Sequence, residues 1–323
     1  MITLSKIAKL AHVSVSTVSK AFSMSPEVNE QTRELIFSVA REHGCFKKYY
    51  NAKYPKFVVA VICPEFRGRF YSRTMAILQE QFKKHNFEVC VATTDFSEET
   101  ELELIRYYNY YSNVDAVIIV NGKADLTEKY DIPVISICPV SSANIPDKAL
   151  IFDIDSRSAL FDAIKYLIDR KAERIGFISE KLTLAKMEMF KDTVTMLKDN
   201  YDESLLSVTD KRFEEGGYDA MQKLFESGNV PEAVICAYDY MAIGAMRCIL
   251  DKGLKIPEDI AVIGMNDIPE CEYLAPPLAS IGTVTDQICR DAVDTVVAIL
   301  EGEEIPPKRR LANRFIPRRS AEY

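Results

Sequence analysis

The chain has 323 residues, 48% of them apolar, with 40 Lys and Arg against 48 Asp and Glu for a net charge of −8. That length exceeds one small core and predicts two or three compact units of ordinary soluble composition. No apolar run approaches the roughly 20 residues that span a bilayer, and MITLSKIAKL lacks the apolar core and cleavage site of a signal peptide, so a cytoplasmic protein is expected. The eight cysteines are scattered without a C-x-x-C pair and are expected to be reduced packing residues.

The net charge hides an asymmetry. Residues 1–56 carry nine Lys and Arg against four Glu, a net of +5, which leaves 31 basic and 44 acidic residues, a net of −13, for the rest. A basic head on an acidic body predicts that only the head approaches phosphates. Three helices fit into its first 45 residues. Thr3 caps the first, in which Leu4, Ile7, Ala8 and Ala11 recur at helical spacing. Ser14 caps the second, with Val18, Ala21 and Phe22 as its buried stripe, and Asn29 opens a third that buries Leu35, Ile36 and Val39. Ser16, Thr17, Ser19 and Lys20 point away from the second helix's stripe, and hydroxyls plus a lysine suit phosphate oxygens and base edges. Two helices joined by a tight turn read as either a helix-turn-helix or a solvated helical hairpin.

LSKIAKLAHVSVSTVSKAF followed by PEVNEQTRELI resembles the head of the LacI/GalR family of bacterial transcription regulators, without a gap through Gly44. The resemblance implies that Val15, Ser16 and Lys20 read bases in the major groove, and that Ser14, Thr17, Ser19, Asn29 and Thr32 contact the DNA backbone, with Leu4 also among the DNA-contacting positions. Val15 also falls beside the apolar stripe, so packing is its alternative. The family's turn usually carries glycine where this chain has His12, which requires a relaxed turn or a left-handed histidine. Lys20 replaces the family's arginine and loses its bidentate fork to guanine. In place of the family's hinge helix the connector reads CFKKYYNAKYPKF. Here Lys47, Lys48 and Lys53 suit a phosphate track, Tyr54 falls at or next to the minor-groove wedge, and Pro55 ends any helix. A shorter hinge, an aromatic wedge and a plain basic linker all fit.

From Phe57 onward, runs such as FVVAVIC, FEVCVAT, DAVIIV, IPVISIC, ALIFDID, RIGFIS, LLSVT, AVICAY and IAVIGM alternate with amphipathic helices, which predicts parallel sheets covered on both faces. No Walker or G-x-G-x-x-G sequence is present, and Gly216-Gly217 reads as a loop or helix start. The three histidines, His12, His43 and His85, form neither a triad nor a metal set, so no catalytic residue, metal or cofactor is expected.

The stretch AYDYMAIGAMRCILDKGLKIPEDIAVIGMNDIPECEYLAPPLASI and the closing FIPRRS extend the resemblance over the whole body. It implies an all-α helix-turn-helix head plus an α/β two-lobed periplasmic-binding-protein-like (type I) body. The domains are then a head at 1–45, a basic linker or hinge at 46–56, and an effector-binding and dimerisation domain at 57–323. Lobe one takes about 57–155 and 285–312 and lobe two about 156–284 and 313–323, with crossings near Asp155, Thr285 and Asn313. The effector would lie between lobes at strand C-terminal ends. Asp239 and Asn266 would supply hydrogen-bonding groups for sugar hydroxyls and Phe70 and Tyr71 an aromatic face. Lys186 stands where many relatives carry a gripping arginine, and Tyr238 replaces an asparagine. Asp153 and Asp155 either face the cleft or mark the crossing. The local likeness in MNDIP, FDIDSRS and RIGFI is to the branch containing the repressor of the evolved β-galactosidase operon, which implies a galactoside or similar glycoside.

The function so implied is an effector-controlled repressor acting as a homodimer on double-stranded, pseudo-palindromic operator DNA, with a mono- or oligosaccharide effector. No coiled-coil tetramer is expected, since Tyr323 directly follows the last strand. Two rivals share the body: a sugar-binding sensor without operator binding, and a cleft enzyme acting on glycosides, for which Asp153 and Asp239 are the only tempting carboxylates.

Overall fold

Each of the first three helices begins where a short polar side chain takes over an otherwise unpaired backbone donor. Thr3 caps α1 (Leu4–Leu10), Ser14 caps α2 (Val15–Phe22) and Asn29 caps α3 (Glu30–Glu42), each accepting from the N–H three residues on. The computed structural model describes residues 3–43, 45–46, 56–124, 126, 128–139, 150–198, 201–303, 305 and 311–322. It separates into two units, Met1–Phe57 and Val58–Tyr323.

Ile7, Ala8, Ala11, Val18, Ala21 and Phe22 form half of the first unit's core, as their spacing predicts. The buried face of α3 differs from expectation: Leu35 is 50% exposed and Val39 only partly buried, while Phe37 and Ala40 are buried beside Ile36. Two contacts turn the helix this way. The rings of Phe22 and Phe37 lie 5.5 Å apart, and the buried Arg33 donates at 2.9 Å to the carbonyls of both Ser25 and Val28. An arginine on the core face that ties down the α2–α3 loop is a pattern that apolar periodicity cannot reveal. Between α1 and α2, His12 takes the left-handed conformation at φ 54°, and Val13 N–H returns to the Ala8 carbonyl at 3.0 Å.

The second unit alternates strand and helix: β1 (Val58–Cys63), α4 (Arg69–Lys84), β2 (Glu88–Thr93), α5 (Glu98–Tyr110), β3 (Ala116–Val120), β4 (Val134–Ile137) and β5 (Leu150–Phe152). These strands form a parallel sheet in the order β2-β1-β3-β4-β5. After β6 (Ile154–Asp155) come α6 (Arg157–Asp169), β7 (Ile175–Glu180), α7 (Leu184–Leu197), β8 (Leu206–Thr209), α8 (Phe213–Glu226), β9 (Ala233–Cys236), α9 (Asp239–Asp251), β10 (Ala261–Asn266) and β11 (Ala279–Gly282). Then follow α10 (Thr285–Glu301), β12 (Leu311–Ala312) and β13 (Arg314–Ile316). The second sheet runs β13-β11-β10-β9-β7-β8, with only β13 antiparallel. Helix α10 packs on α4 and β4, so the chain returns to the first sheet before β12 pairs with β6 and Asn313 N–H donates to the Asp155 carbonyl at 2.9 Å.

Gly216 and Gly217 lie in the opening turns of α8, the helix-start alternative of the sequence reading. A Cβ on Gly217 would stand 1.8 Å from the Met241 carbonyl oxygen, and one on Gly244 1.9 Å from that of Glu214. The two glycines let the backbones of α8 and α9 touch.

Candidate nucleic-acid interface and effector cleft

On α2, Val18, Ala21 and Phe22 are buried while Ser16, Ser19 and Lys20 are exposed and Thr17 half-buried. Val15 is 45% exposed and outside the core, which resolves its tension with the apolar stripe. Ser14 Oγ accepts from Thr17 N–H at 3.0 Å and lies 2.8 Å from the Thr17 hydroxyl, so both side chains order the helix's first turn. Lys20 is paired with Glu27, both ends exposed. Asn29 is exposed and Thr32 half-buried at the start of α3, and Leu4 packs partly buried against the head core. Lys47, Lys48, Lys53 and Tyr54 lie outside the described residues.

In the second unit a cavity of about 780 Å³ opens between the C-terminal ends of the two sheets, where parallel strands leave loops and helix N-termini free to meet a ligand. Phe70, Tyr71, Asp155, Lys186, Tyr238, Asp239 and Asn266 all line it, as does Asp153. Phe70 and Tyr71 meet edge-on at 5.3 Å and Tyr71 meets Phe96 at 6.2 Å, which makes a row of three rings. Asn121 donates its amide to the Tyr71 hydroxyl at 2.7 Å. Asp155 sits at the lobe crossing, where one carboxylate oxygen accepts from the N–H groups of Arg157 and Ser158.

The Asp239 carboxylate is 1% exposed, and its two oxygens accept from Ser280 Oγ at 2.6 Å and Ile268 N–H at 2.9 Å. Burial pushes its pKa up to about 7 despite those hydrogen bonds. It frames the cleft with both oxygens already engaged, which is not the free hydroxyl acceptor that sequence suggests. Lys186, partly buried, donates to the Ala237 carbonyl at 2.8 Å, and desolvation lowers its pKa to about 8 against the pull of Asp239 and Glu180. The Tyr238 hydroxyl accepts from Phe213 N–H at 2.9 Å, which fixes the start of α8.

Sequence reasoning missed Glu65, Phe96, Asn121, Glu180, Arg212 and Phe213, which also line the cavity. All lie at strand ends or within a few residues beyond them, and Asn121, immediately after the apolar run of β3, carried a usable signal. Arg212, in the loop between β8 and α8, carried none. Glu180 has its carboxyl pushed above the usual range by burial, and the charge of Arg212 partly counters this. Among the described residues no cluster of His, Cys, Asp and Glu could hold a metal ion, no helix is long and apolar enough to cross a membrane, and all eight cysteines are free.

A capped helix-turn-helix followed by two parallel α/β lobes around a polar and aromatic cleft defines a ligand-responsive DNA-binding protein. Residues 3–45 match the model for bacterial regulatory proteins of the lacI family, and residues 164–321 match the periplasmic binding protein-like domain. The chain thus joins a LacI-family helix-turn-helix domain to a periplasmic-binding-protein-like domain. It is 27% identical to the HTH-type transcriptional repressor CytR of Escherichia coli strain K12 over 96% of this chain and 93% of that protein. It is 26% identical to the ribose operon repressor of Haemophilus influenzae over 92% and 91% respectively. Among solved structures, the transcriptional regulator CelR in complex with cellobiose matches 99% of this chain and 100% of its own, with a TM-score of 0.69 and 25% identity.

Proposed function

We propose that this chain is a transcriptional repressor that binds a pseudo-palindromic operator as a homodimer in the cytoplasm and is controlled by a small polyhydroxylated effector, a galactoside or similar glycoside. The observation that carries the reading is the pairing, in one chain, of an exposed hydroxyl and lysine face on the second helix of a helix-turn-helix with a cleft whose wall combines a row of aromatic rings and fixed hydrogen-bonding groups. Rings pack on the C–H faces of a sugar while amide, phenol and ammonium groups take its hydroxyls. A cavity of about 780 Å³ accommodates a mono- or disaccharide. In this reading Val15, Ser16 and Lys20 read bases, while Ser14, Thr17, Ser19, Asn29 and Thr32 hold the backbone. Phe70, Tyr71, Lys186, Tyr238 and Asn266 meet the effector inside the frame set by Asp155 and Asp239. The effector changes operator affinity only by its differential binding to two arrangements of the lobes.

The test is fluorescence anisotropy of the purified protein on DNA upstream of its own gene cluster, at fixed salt, with and without galactosides and glucosides. Saturable binding that one sugar alters and an unrelated duplex fails to compete is the expected result. Sugar binding without any sequence-specific DNA binding would leave only a sensor, and turnover of a glycoside would make the cleft an active site.

A further inference from the structure

Arg212 precedes α8 in the lobe built on the second sheet, yet its main partner belongs to the other lobe. Its two terminal nitrogens donate at 2.8 Å to the two oxygens of Glu65, which follows β1, while its Nε reaches Glu180, at the end of β7, at 3.3 Å. Glu65 is 8% exposed and Glu180 2%. The guanidinium lies 5.2 Å from the ring centre of Phe96, which follows β2, and 4.7 Å from that of Phe213. Each lobe therefore gives one buried carboxylate and one aromatic ring to a single guanidinium, the group whose planar fork and weak hydration suit such a site.

The backbone is bent to make this arrangement. Phe96 and Phe213 are held at φ 62° and 55°, a region that bulky side chains rarely enter and that persists only where the surroundings over-determine it. On lobe one, the turn that carries Phe96 is tied to the loop that carries Glu65, because Thr94 and Asp95 donate their N–H groups to the carbonyls of Cys63 and Pro64. On lobe two, Phe213 N–H is held by the Tyr238 hydroxyl. Ring and carboxylate are thus presented as a unit from each side.

We infer that Arg212 is a positioning residue that clamps the two lobes together, so that the cleft is drawn closed across Glu65 before any effector arrives. The effector then completes a site that the protein has already assembled, and this inference does not depend on what the effector is. A second ion pair across the cleft mouth, Arg69 to Glu270 at 2.6 Å, is exposed at both ends and is screened by salt. The Arg212 clamp, whose two carboxylates are buried, is screened much less.

The experiment is small-angle X-ray scattering of the full ligand-free chain as wild type, Arg212→Ala, Arg212→Lys, Glu65→Gln and, as control, Arg69→Ala, at low and at high salt. Wild type and Arg69→Ala should share one compact profile at both salts. Arg212→Ala and Glu65→Gln should show a larger radius of gyration, and Arg212→Lys an intermediate one, since it keeps the charge and loses the fork. Circular dichroism at the same temperature separates opening from unfolding: a merely structural arginine would lower the melting temperature and leave the folded profile unchanged. Should Arg212→Ala not fold, Glu65→Gln decides alone, because it removes only the charge on the far lobe. A wild-type profile for both variants overturns the clamp.

Discussion

At the scale of single residues, two positions carry a measurable cost. His12 stands at φ 54° in the turn between α1 and α2, where a side chain costs about 1 kcal/mol or more. Glycine would remove that cost and return part of it as unfolded-state entropy, about 0.5–1 kcal/mol. His12→Gly is therefore expected to stabilise the head by about 0.5 kcal/mol, read as an upward shift of its thermal transition by circular dichroism; a downward shift would give the histidine ring a role of its own. The second position is Asp239, whose folded pKa of about 7 lies above its ordinary value of 3.8. Between those values the native state keeps a proton that the unfolded chain has lost, so stability falls as pH rises through the window, by at most about 1.4 kcal/mol per pH unit. Lys186 has the opposite sign: with a folded pKa of about 8 against 10.5, its penalty is relieved as pH rises from 8 toward 10.5. The pair's contribution is weakest near pH 7 to 8. Asp239→Asn should flatten the urea midpoint between pH 5 and 7 relative to wild type, and parallel profiles would show that the carboxyl ionises freely there. Tyr238, Asp239 and Asn266 were legible as cleft residues through the family resemblance, and they line the cleft because they stand at or just beyond the C-terminal ends of β9 and β10. Arg212 and Glu65 were not, since they stand 147 residues apart and meet only across the cleft.

At the scale of elements, alternating β-branched runs and amphipathic helices were enough to place nearly every strand and helix of the body, because parallel sheets buried on both faces leave continuous apolar runs. Contact between helices was not legible, and Gly216-Gly217 shows why. The pair was legible as a possible helix start, but not its purpose, which is to let the backbone of α9 approach that of α8. The reading of α3 held for Ile36, held in part for Val39 and failed at Leu35 for a related reason: the packing of Phe37 on Phe22 and the carbonyl partners of Arg33 outweigh the apolar count that favoured Leu35. Because a Cβ at 217 or 244 would collide with backbone and not with a flexible side chain, neither site can repack locally. Gly217→Ala and Gly244→Ala are each expected to cost about 3 kcal/mol, at the upper end for overpacking, seen as a lower urea midpoint for the body. The double variant should cost less than the sum, since parting the two helices relieves both collisions. Strict additivity would mean that the helices do not move as rigid bodies.

At the scale of the whole molecule, a head of net +5 and a body of net −13 divide the work of binding DNA. The long-range field of the body opposes approach to any duplex, so affinity has to come from short-range contacts made by the head, and it falls steeply with salt as counterions are released. Within that face Lys20 is engaged with Glu27, both side chains being about half or more exposed. Such a pair contributes about 1 kcal/mol at most, so exchanging it for a base edge costs little. A lysine on a base edge carries about 1–3 kcal/mol of discrimination, while one on a phosphate carries affinity without discrimination and about one unit of salt slope. Lys20→Ala is therefore expected to weaken operator binding about tenfold to a hundredfold, to leave binding to an unrelated duplex nearly unchanged, and to leave the slope of log K against log salt close to that of wild type. Glu27→Gln, which frees Lys20, should strengthen both modestly. Equal losses of Lys20→Ala on the two duplexes, with a shallower slope, would move Lys20 from the bases to the phosphates and leave Val15 and Ser16 as the side chains that read the sequence.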